Sequence, residues 1–465
     1  MHKISITYSH RFTNGGGQIE FPRERYVQKL VDRIDIGLIK IITGARRVGK
    51  SYLMNKLFYR HLTESGVDES KIIRFSFDSD DDIDLLDPYL PGEDTKIIQK
   101  GGGYLVNSRK FRAFIKDRAN GREGMFYLLD EVQLLEDFVG TLNGLLRNTD
   151  DNIYVTGSNS KFLSSDISTE FRGRGLVLHV LPLTFSEYLN GTGLPRDAAW
   201  GDYIETGGIP IVATMGSREE RRDYLKALCE EIYLKDIIAR NNVRNSSSLS
   251  DVLDITASMI GSLVNPTRIA DTFGTVLGKD VTDDTVSDYI GYFEDAFLLS
   301  KVKRYDVKSR KYIGTPYKLY FEDIGVRNAR LNFRQIEETH IMENIIYNEL
   351  RYRGFDVDIG QVIINERTDR VDVNGRSCYS KKHLEVDFIA NSGDRRYYIQ
   401  SVLSIHDPKK KEAEEKPLLN TGDSFTKILI TRNGLHPFRD DNGVLTVDLF
   451  DFLTDGNFFE PDLAT

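Results

Sequence analysis

The stretch GARRVGKS, residues 44–51, fits the pattern G-x-x-x-x-G-K-[ST]. Its members are Gly44, Ala45, Arg46, Arg47, Val48, Gly49, Lys50 and Ser51. The apolar segment 36–43 precedes it and predicts a buried strand, and the segment 51–61 follows it with apolar residues at helical spacing. A strand, a glycine-rich turn and a helix in this order are the context in which the pattern forms a P-loop.

The residue types of this stretch suit a polyphosphate such as ATP. Gly44 and Gly49 let the backbone curl, so that successive N–H groups point at phosphate oxygens. The helix that begins near Lys50 adds the positive end of its dipole. Lys50 is expected to reach the β- and γ-phosphates, and the Ser51 hydroxyl to hold Mg²⁺. The alternative is a surface turn rich in Gly and Lys, but the flanking strand and helix favour nucleotide binding.

A second motif lies about 80 residues after Lys50, where the apolar strand predicted for 125–129 ends in Asp130-Glu131. This is a Walker B pattern. Asp130 is expected to organise Mg²⁺ and its waters, and Glu131 to polarise the attacking water as general base. The alternative is a strand that ends in two acids by chance, and the Walker A pattern upstream favours the functional interpretation.

The next predicted strand, 152–156, ends at another polar group. In a P-loop sheet, a polar residue beside Walker B can contact the γ-phosphate or the attacking water. Ser158 is the first candidate, and Thr156 and Asn159 follow it. Ordinary turn chemistry stays open as the alternative, because Gly, Ser and Asn all favour turns.

Arg172 and Arg174 alternate with glycines in the segment FRGRG, just before another apolar strand. They are candidates for an arginine finger on the γ-phosphate of a neighbouring subunit. Structural pairing with nearby carboxylates is the alternative. A homo-oligomer would follow if either arginine acts in trans, and a monomer or dimer is equally compatible with the sequence.

Together these segments resemble the AAA-type P-loop ATPases of bacteria and archaea that carry a C-terminal domain of unknown function. The resemblance runs from about residue 20 to the end of the chain. It implies an AAA core, a winged helix and a nuclease-like C-terminal fold, and it leaves the biological role open. The segments that carry it are LIKIITGARRVGKS, FYLLDEVQ, YVTGSNS, FRGRG, LPLTFSEYL, GGIP, YLKDIIARNNVRN, ENIIYNELRYRGFDV, LEVDFIA and YYIQSVLSI.

The expected fold class is α/β, a P-loop NTPase (AAA-type) parallel sheet followed by a helical lid, a winged helix and a smaller nuclease-like α/β domain. A chain of 465 residues is too long for one core. The clearest boundary is the polar run 241–250. The predicted units are 1–198, the ATPase core; 199–245, the helical lid; 246–330, the winged helix; and 331–465, the nuclease-like domain. Within the lid, the spacing of Asp236 and Arg240 predicts a local ion pair.

The hairpin of the predicted winged helix is basic. Residues 301–318 hold seven Lys or Arg and a single acid, Asp306, in a chain of net charge −9. DNA contact through this wing is one interpretation; a solvated hairpin or a docking surface for acidic parts of the protein are the others. The preceding helix begins with Asp283 and Asp284, which repel phosphates and disfavour major-groove recognition. The basic residues are Lys301, Lys303, Arg304, Lys308, Arg310, Lys311 and Lys318.

Three C-terminal segments are similar to the PD-(D/E)xK nuclease layout, in which carboxylates gather Mg²⁺ beside a lysine. They contain Glu343, Asp387 and the residues 400–402 (QSV). Gln400 carries no charge for a metal, and Val402 cannot replace the lysine. A nuclease-like fold kept for binding or assembly is therefore favoured, and an ATP-controlled nuclease is the alternative.

The composition indicates in which cellular compartment the protein is expected. The two cysteines, Cys229 and Cys378, stand far apart and suggest neither a disulfide framework nor a metal site. No run approaches the roughly 18 apolar residues of a membrane span, and the first residues lack an apolar signal core. A cytoplasmic protein without membrane contact is expected. The leading hypothesis is a Mg²⁺-dependent ATPase, and the alternative is a nucleotide-gated scaffold with little turnover.

Overall fold

The fold is described from a computed structural model. It covers residues 19–99, 102–148, 150–157, 171, 173–278, 281–334, 336–371, 377–432, 434 and 436–459. Two sheets organise this part of the chain, one of five strands and one of eight. A separate two-stranded hairpin, β3–β4, lies between strands of the first sheet in the sequence.

The first sheet is parallel and has the order β2-β5-β6-β1-β7. Every residue of β1, β5 and β6 is buried, which explains their near-continuous apolar sequences, because helices cover both faces of a parallel sheet. The strands of the first part are β1 (Ile39–Thr43), β2 (Ile72–Ser76), β3 (Lys96–Ile98), β4 (Tyr104–Val106), β5 (Phe126–Asp130), β6 (Asn152–Thr156) and β7 (Gly175–His179).

Helices flank this sheet, and the sheet separates two apolar clusters, one on each face. Along β1, Ile41 belongs to one apolar cluster and Ile42 to the other, as the alternation of a strand requires. The helix that follows β7 begins with a capping box between Thr184 and Glu187. The helical segments are Glu24–Val31, Lys50–Tyr52, Leu53–Phe58 (π-helical), Tyr59–Glu64, Asp80–Asp84, Ser108–Ala119, Phe138–Asn148 and Phe185–Thr192.

The middle of the chain is helical, as the sequence predicts. Helices fill most of the predicted lid, and three more then precede a strand hairpin, which is the order expected of a winged helix. The segments are Arg196–Thr206, Pro210–Ala213, Arg218–Ala227, Leu228–Leu234 (π-helical), Lys235–Asn241, Ser246–Ser258, Pro266–Leu277 and Asp283–Asp295.

The second sheet is mixed and has the order β14-β15-β13-β12-β11-β10-β8-β9. Its strands are β8 (Leu299–Asp306), β9 (Lys311–Phe321), β10 (Asp356–Val371), β11 (Ser377–Ser392), β12 (Arg395–Val402), β13 (Thr426–Thr431), β14 (Phe438–Arg439) and β15 (Leu445–Asp448). The accompanying helices are Ile324–Arg330, Glu338–Tyr352, Pro408–Leu419 and Leu449–Thr454.

The β8–β9 hairpin is built into this second sheet. Strand β8 pairs in parallel with β10, with Arg304 opposite Ile359 and Asp306 opposite Gln361. The sheet therefore crosses the boundary predicted at residue 330, and the strands on the two sides share backbone hydrogen bonds. The division into a winged helix and a nuclease-like domain stays a prediction.

Across the described ranges, the structure contains no helix with both the length and the apolar character that a membrane crossing requires.

Candidate functional site

The P-loop (residues 44–51) leaves the carboxyl end of β1 through two glycines in left-handed backbone. Gly44 has φ 141° and Gly49 has φ 93°. A Cβ on Gly44 would stand 2.3 Å from the carbonyl oxygen of Val180, which is backbone and cannot move aside. Glycine is therefore required at the first turn for space as well as for conformation. Between them, Arg47 also has a positive φ, 68°.

The Lys50 side chain is buried and folds back onto the start of the P-loop. Its ammonium donates to the carbonyl oxygens of Gly44 and Ala45, both at 2.9 Å. Burial lowers the pKa of Lys50 to about 8, although Glu131 and Asp130 act in the opposite direction. Among the described residues, the hydrogen bonds of the Lys50 ammonium go to these two carbonyl oxygens. A partly desolvated cation in this setting has much to gain from an anion, so the loop is suited to receive phosphate oxygens.

Asp130 ends the buried strand β5 and collects hydroxyl groups from two neighbouring elements. The Ser51 hydroxyl donates to it at 3.1 Å, and the Thr156 hydroxyl donates to the same carboxylate oxygen. Asn55 reaches the other oxygen at 3.4 Å. Burial raises the pKa of Asp130, while these hydroxyl groups lower it. A carboxylate and a hydroxyl this close are the hard oxygen donors that a P-loop Mg²⁺ site uses, with phosphates and water as its remaining ligands.

Glu131 follows at the same edge in left-handed backbone, with φ 53°. Its N–H donates to the Thr156 hydroxyl at 3.1 Å, and its carboxylate accepts a hydrogen bond from the side-chain amide of Gln133. Thr156 thus bonds both acids of the Walker B pattern. The carboxylate of Glu131 lies close enough to the P-loop to raise the pKa of Lys50, and its role as general base stays a prediction.

The candidates for γ-phosphate contact divide into described and undescribed residues. Thr156, at the end of β6, is in the site. Ser158, Asn159 and Arg172 lie outside the described residues, so their roles stay predictions.

Arg174 lies at the amino-terminal edge of the sheet. Its carbonyl oxygen accepts from the N–H of Ile39 at 2.9 Å, and its guanidinium donates to Asn143 at 3.3 Å. The P-loop leaves the opposite end of β1, so Arg174 is placed away from the P-loop of its own chain. A role in a neighbouring subunit stays a prediction.

Three residues of the site were not singled out from the sequence. Asn55 stands one helical turn after Ser51, and this spacing was the available signal. Gln133 contacts Glu131 only because the chain turns sharply after β5. Tyr233 lies far from the P-loop in the sequence, and no local pattern indicates that it contacts Arg46.

The helices of the middle part lie against the P-loop. The Tyr233 hydroxyl donates to the carbonyl oxygen of Arg46 at 2.9 Å, and the Arg46 guanidinium pairs with Asp236 at 2.7 Å. The predicted attraction between Asp236 and Arg240 is present, because each group shifts the pKa of the other toward its charged form, but the close ion pair of Asp236 is with Arg46. The backbone and a side chain of the nucleotide loop are both attached to the predicted lid.

His179, the last residue of β7, connects the nucleotide sheet to the end of β9. Its Nδ1 lies 3.3 Å from the Thr43 hydroxyl, and its Nε2 lies 2.9 Å from Glu322. Arg351 pairs with the same carboxylate at 3.1 Å. Burial raises the pKa of Glu322, but His179 and Arg351 together lower it below its ordinary value. A chain of polar contacts thus runs from the P-loop strand to the C-terminal part.

The segment GGIP fills the space between the P-loop and this junction. The carboxylate of Asp323 accepts from the N–H of Gly208 at 2.8 Å. A Cβ on Gly208 would stand 2.3 Å from the carbonyl oxygen of Leu183. Pro210 lies 3.8 Å from the Cβ position of Gly49, so the segment abuts the phosphate-binding loop.

A second group of charges is buried in the C-terminal sheet around Lys318. The ammonium of Lys318 lies 2.7 Å from Glu343 and 2.7 Å from Glu385. Burial lowers its pKa, but Glu343, Asp387 and Glu385 together raise the pKa well above the ordinary lysine value. Lys318 is only 2% exposed. Its predicted place among the solvent-facing basic residues of the wing is therefore wrong, because inward-facing carboxylates bind it.

Asp387 lies at the centre of this group. It accepts the N–H and hydroxyl of Ser401, both at 2.8 Å, and the side-chain amide of Gln400 at 3.2 Å. Burial and the neighbouring Glu343 raise the pKa of Asp387 to about 6. The structure thus brings together Glu343, Asp387 and Gln400, which the sequence predicts as a group.

The cation of this group comes from strand β9, whereas Val402 packs in an apolar cluster. Lys318 lies between Glu343 and Glu385, where it neutralises carboxylates that a cation of any kind would otherwise contact. Among the described residues, no group of three or more His, Cys, Asp or Glu side chains is arranged to hold a metal ion.

Comparison with protein families matches two parts of the chain. Residues 37–189 match a model described as an AAA domain, and residues 197–337 match one described as a domain of unknown function. The first range contains the P-loop, Asp130 and Thr156. The first part of the chain is therefore an AAA-type P-loop domain with an α/β parallel sheet, and a sheet-rich part follows it.

Two curated relatives match over most of their length. An uncharacterized protein of Haemophilus influenzae is 28% identical over 416 residues, which are 88% of this chain and 92% of that protein. An uncharacterized protein of Methanocaldococcus jannaschii is 27% identical over 429 residues, 87% of this chain and 86% of that protein.

Solved structures match with low scores. The Aeropyrum pernix ORC1 protein in complex with DNA has a TM-score of 0.30 at 14% identity, covering 68% of this chain and 94% of that chain. AMPPCP-bound DnaA from Aquifex aeolicus has a TM-score of 0.30 at 17% identity, covering 59% and 88%. At this level of similarity, nothing about the function of this protein follows from these structures.

Proposed function

We propose that this protein is a Mg²⁺-dependent ATPase whose nucleotide state changes how its middle helices and C-terminal sheet lie on the P-loop. The observation that carries the proposal is the convergence of the Ser51 and Thr156 hydroxyls on the Asp130 carboxylate, beside Lys50. The match of residues 37–189 to an AAA domain supports it.

Each residue of the site has a role in this proposal. The N–H groups of the P-loop and the Lys50 ammonium bind the phosphates. Ser51 and Asp130 would hold Mg²⁺, which supplies charge neutralisation at the phosphates. Glu131 accepts a proton from the attacking water, and Thr156 fixes both acids relative to each other.

Two contacts support the coupling of nucleotide state to the rest of the chain. Arg46 is bonded to Tyr233 and Asp236, so a P-loop that adjusts around phosphates would pull on the middle helices. His179 similarly joins the end of the nucleotide sheet to Glu322. A ligand shifts such an equilibrium only if it binds the two arrangements with different affinity.

The finer organisation is also proposed. The units are an ATPase core (1–198), a helical lid (199–245), a winged helix (246–330) and a nuclease-like domain (331–465) without nuclease activity. The exposed basic residues of the β8–β9 hairpin would contact DNA. A homo-oligomer would form if Arg172 or Arg174 completes a neighbouring site.

The alternative is a nucleotide-gated scaffold with little turnover. The position of Arg174 favours it, since this described finger candidate lies at the far edge of the sheet from the P-loop of its own chain. A site that needs an arginine from elsewhere would bind ATP without rapid hydrolysis.

The first test measures ATP binding and steady-state hydrolysis with Mg²⁺. Lys50→Ala is expected to weaken ATP binding at least about tenfold and to abolish turnover, because the cation that meets the phosphates is removed. Lys56→Ala is the matched control, since Lys56 is an exposed lysine in the helical stretch that follows the P-loop. Native turnover that survives Lys50→Ala would refute the proposal. Binding without native turnover would favour the scaffold.

Nucleotide binding is also expected to take up protons at alkaline pH. The pKa of free Lys50 is about 8, and bound phosphates must raise it. Binding should therefore add roughly half a proton or more per site at pH 8.5 and only about a tenth at pH 7. Calorimetric titrations in buffers of different ionisation enthalpy measure this uptake. Equal heats at pH 8.5, after correction for the nucleotide itself, would contradict it.

A further inference from the structure

A cavity of about 610 Å³ lies in the C-terminal sheet, outside the nucleotide site. Three segments form it: the turn between β8 and β9, the turn between β11 and β12, and the loop before β13. We call it the basic cleft. The lining residues that matter here are Tyr305, Lys308, Arg310, Arg395, Arg396 and Phe425.

One cation of the basic cleft, Arg396, attracts the carboxylate of Asp358, which does not line the cleft. Within the described residues, none of the cleft's four Lys or Arg side chains forms a salt bridge, whereas Lys318 on the same hairpin forms two. Lys308 and Arg395 donate only to carbonyl oxygens, of Ile363 and Phe459. In a chain of net charge −9, four cations around one cavity that form no salt bridge within the described residues indicate a site for an anion.

Two acids also line the cleft but leave its cations free. Asp423 accepts a hydrogen bond from the Tyr398 hydroxyl at 2.6 Å. Asp394 is exposed at the tip of the β11–β12 turn. The lining therefore holds four cations against two carboxylates, one of which is engaged elsewhere.

Aromatic rings enclose one of the cations. The guanidinium of Arg396 lies 5.4 Å from the ring centre of Tyr305 and 5.6 Å from that of Phe425. Its Nε donates to Asn391 at 2.7 Å, which fixes the plane of the group. Phe425 remains 41% exposed. A fixed cation between rings, with one ring open to solvent, is a surface on which a nucleobase stacks.

We propose that the basic cleft binds single-stranded nucleic acid. Phosphates would contact Lys308, Arg310 and Arg395, and an unpaired base would stack on Phe425. A duplex offers the same phosphates but keeps its bases stacked inside, so the exposed ring favours a single strand. This inference rests on the nucleic-acid contact of the proposed function and not on ATP hydrolysis.

The test measures fluorescence anisotropy of a labelled fifteen-nucleotide oligo(dT) with the full chain. The double variant Arg310→Glu with Arg395→Glu is expected to bind at least about tenfold more weakly, with a shallower salt dependence. The control Lys409→Glu with Lys410→Glu reverses the charge of two exposed lysines at the start of the helix Pro408–Leu419. It should change binding less than about twofold. Equal binding by the cleft variant and native protein would overturn the proposal.

Phe425→Ala distinguishes a single strand from other phosphate ligands. It should weaken oligo(dT) binding about fivefold or more, since stacking on an aromatic ring is removed, and leave binding of a duplex of equal length unchanged. Equal loss for both, or full displacement of oligo(dT) by millimolar dTMP, would overturn the single-strand assignment. ATP hydrolysis measured in the same variants separates the two proposals, because it should be unaffected by the cleft substitutions.

Discussion

Replacing Glu131 with glutamine is expected to lower kcat for ATP hydrolysis at least about a hundredfold while ATP still binds. Glutamine keeps the size of the side chain and can still bond the amide of Gln133, but it cannot accept the proton of the attacking water. The phosphate-binding groups of the P-loop are untouched. The expected loss therefore falls on the chemical step and not on affinity.

The measurement pairs steady-state hydrolysis with equilibrium binding of ATP and Mg²⁺. Glu136→Gln is the matched control, because this glutamate lies in the same loop and bonds Ser108 instead of the strand end. This variant should hydrolyse ATP within about twofold of the native rate, because it loses a charge that lies away from the site. A Glu131→Gln variant that keeps the native rate would show that another group activates the water.

Replacing Lys318 with methionine is expected to destabilise the C-terminal sheet by about 3–5 kcal/mol. Methionine keeps much of the volume but removes the cation between Glu343 and Glu385. The buried carboxylates of Glu343 and Asp387 would then repel one another where little water screens them. Lys311→Met, on the same hairpin and exposed, is the control and should cost less than about 0.5 kcal/mol.

Urea unfolding followed by circular dichroism measures the effect of Lys318→Met. The deficit should shrink as the pH falls toward about 6. Asp387 has a pKa of about 6 with Lys318 present, and loss of that cation raises this pKa further, so the variant takes up its proton above pH 6. The sign follows from burial: a carboxyl whose folded-state pKa is raised loses its unfavourable charge at lower pH. Adding Glu343→Gln to the variant should recover part of the loss. A deficit that is independent of pH and of Glu343 would mean that lost packing, not charge, causes it.

The nucleotide site was predictable because its parts are local in the sequence. The strand, the turn and the helix start of the P-loop are consecutive, and Asp130 with Glu131 directly follows a buried strand. Only the position of Thr156 relative to Asp130 depends on the sheet, and parallel order brings adjacent strand ends together.

Contacts between distant segments could not be predicted in the same way. The spacing of Asp236 and Arg240 predicted their attraction, but it could not indicate that Arg46, far away in the sequence, forms the close ion pair with Asp236. Lys318 looked like one more lysine of a basic hairpin, because its partners come from a helix and a strand that follow later. Spacing along a helix or strand indicates which local side-chain contacts are possible, and tertiary packing determines which contacts form.

The pairing of β8 with β10 determines which parts of this chain can exist apart. The matched block 197–337 contains the β8–β9 hairpin but not β10, which pairs with the other edge of β8. Cut out at its ends, it would present a bare strand edge to solvent, and such edges promote aggregation. The block is thus a unit of sequence similarity rather than of independent folding. Genetic exchange that swaps it without residues 356–371 would have to preserve both the strand register and the charge balance around Lys318.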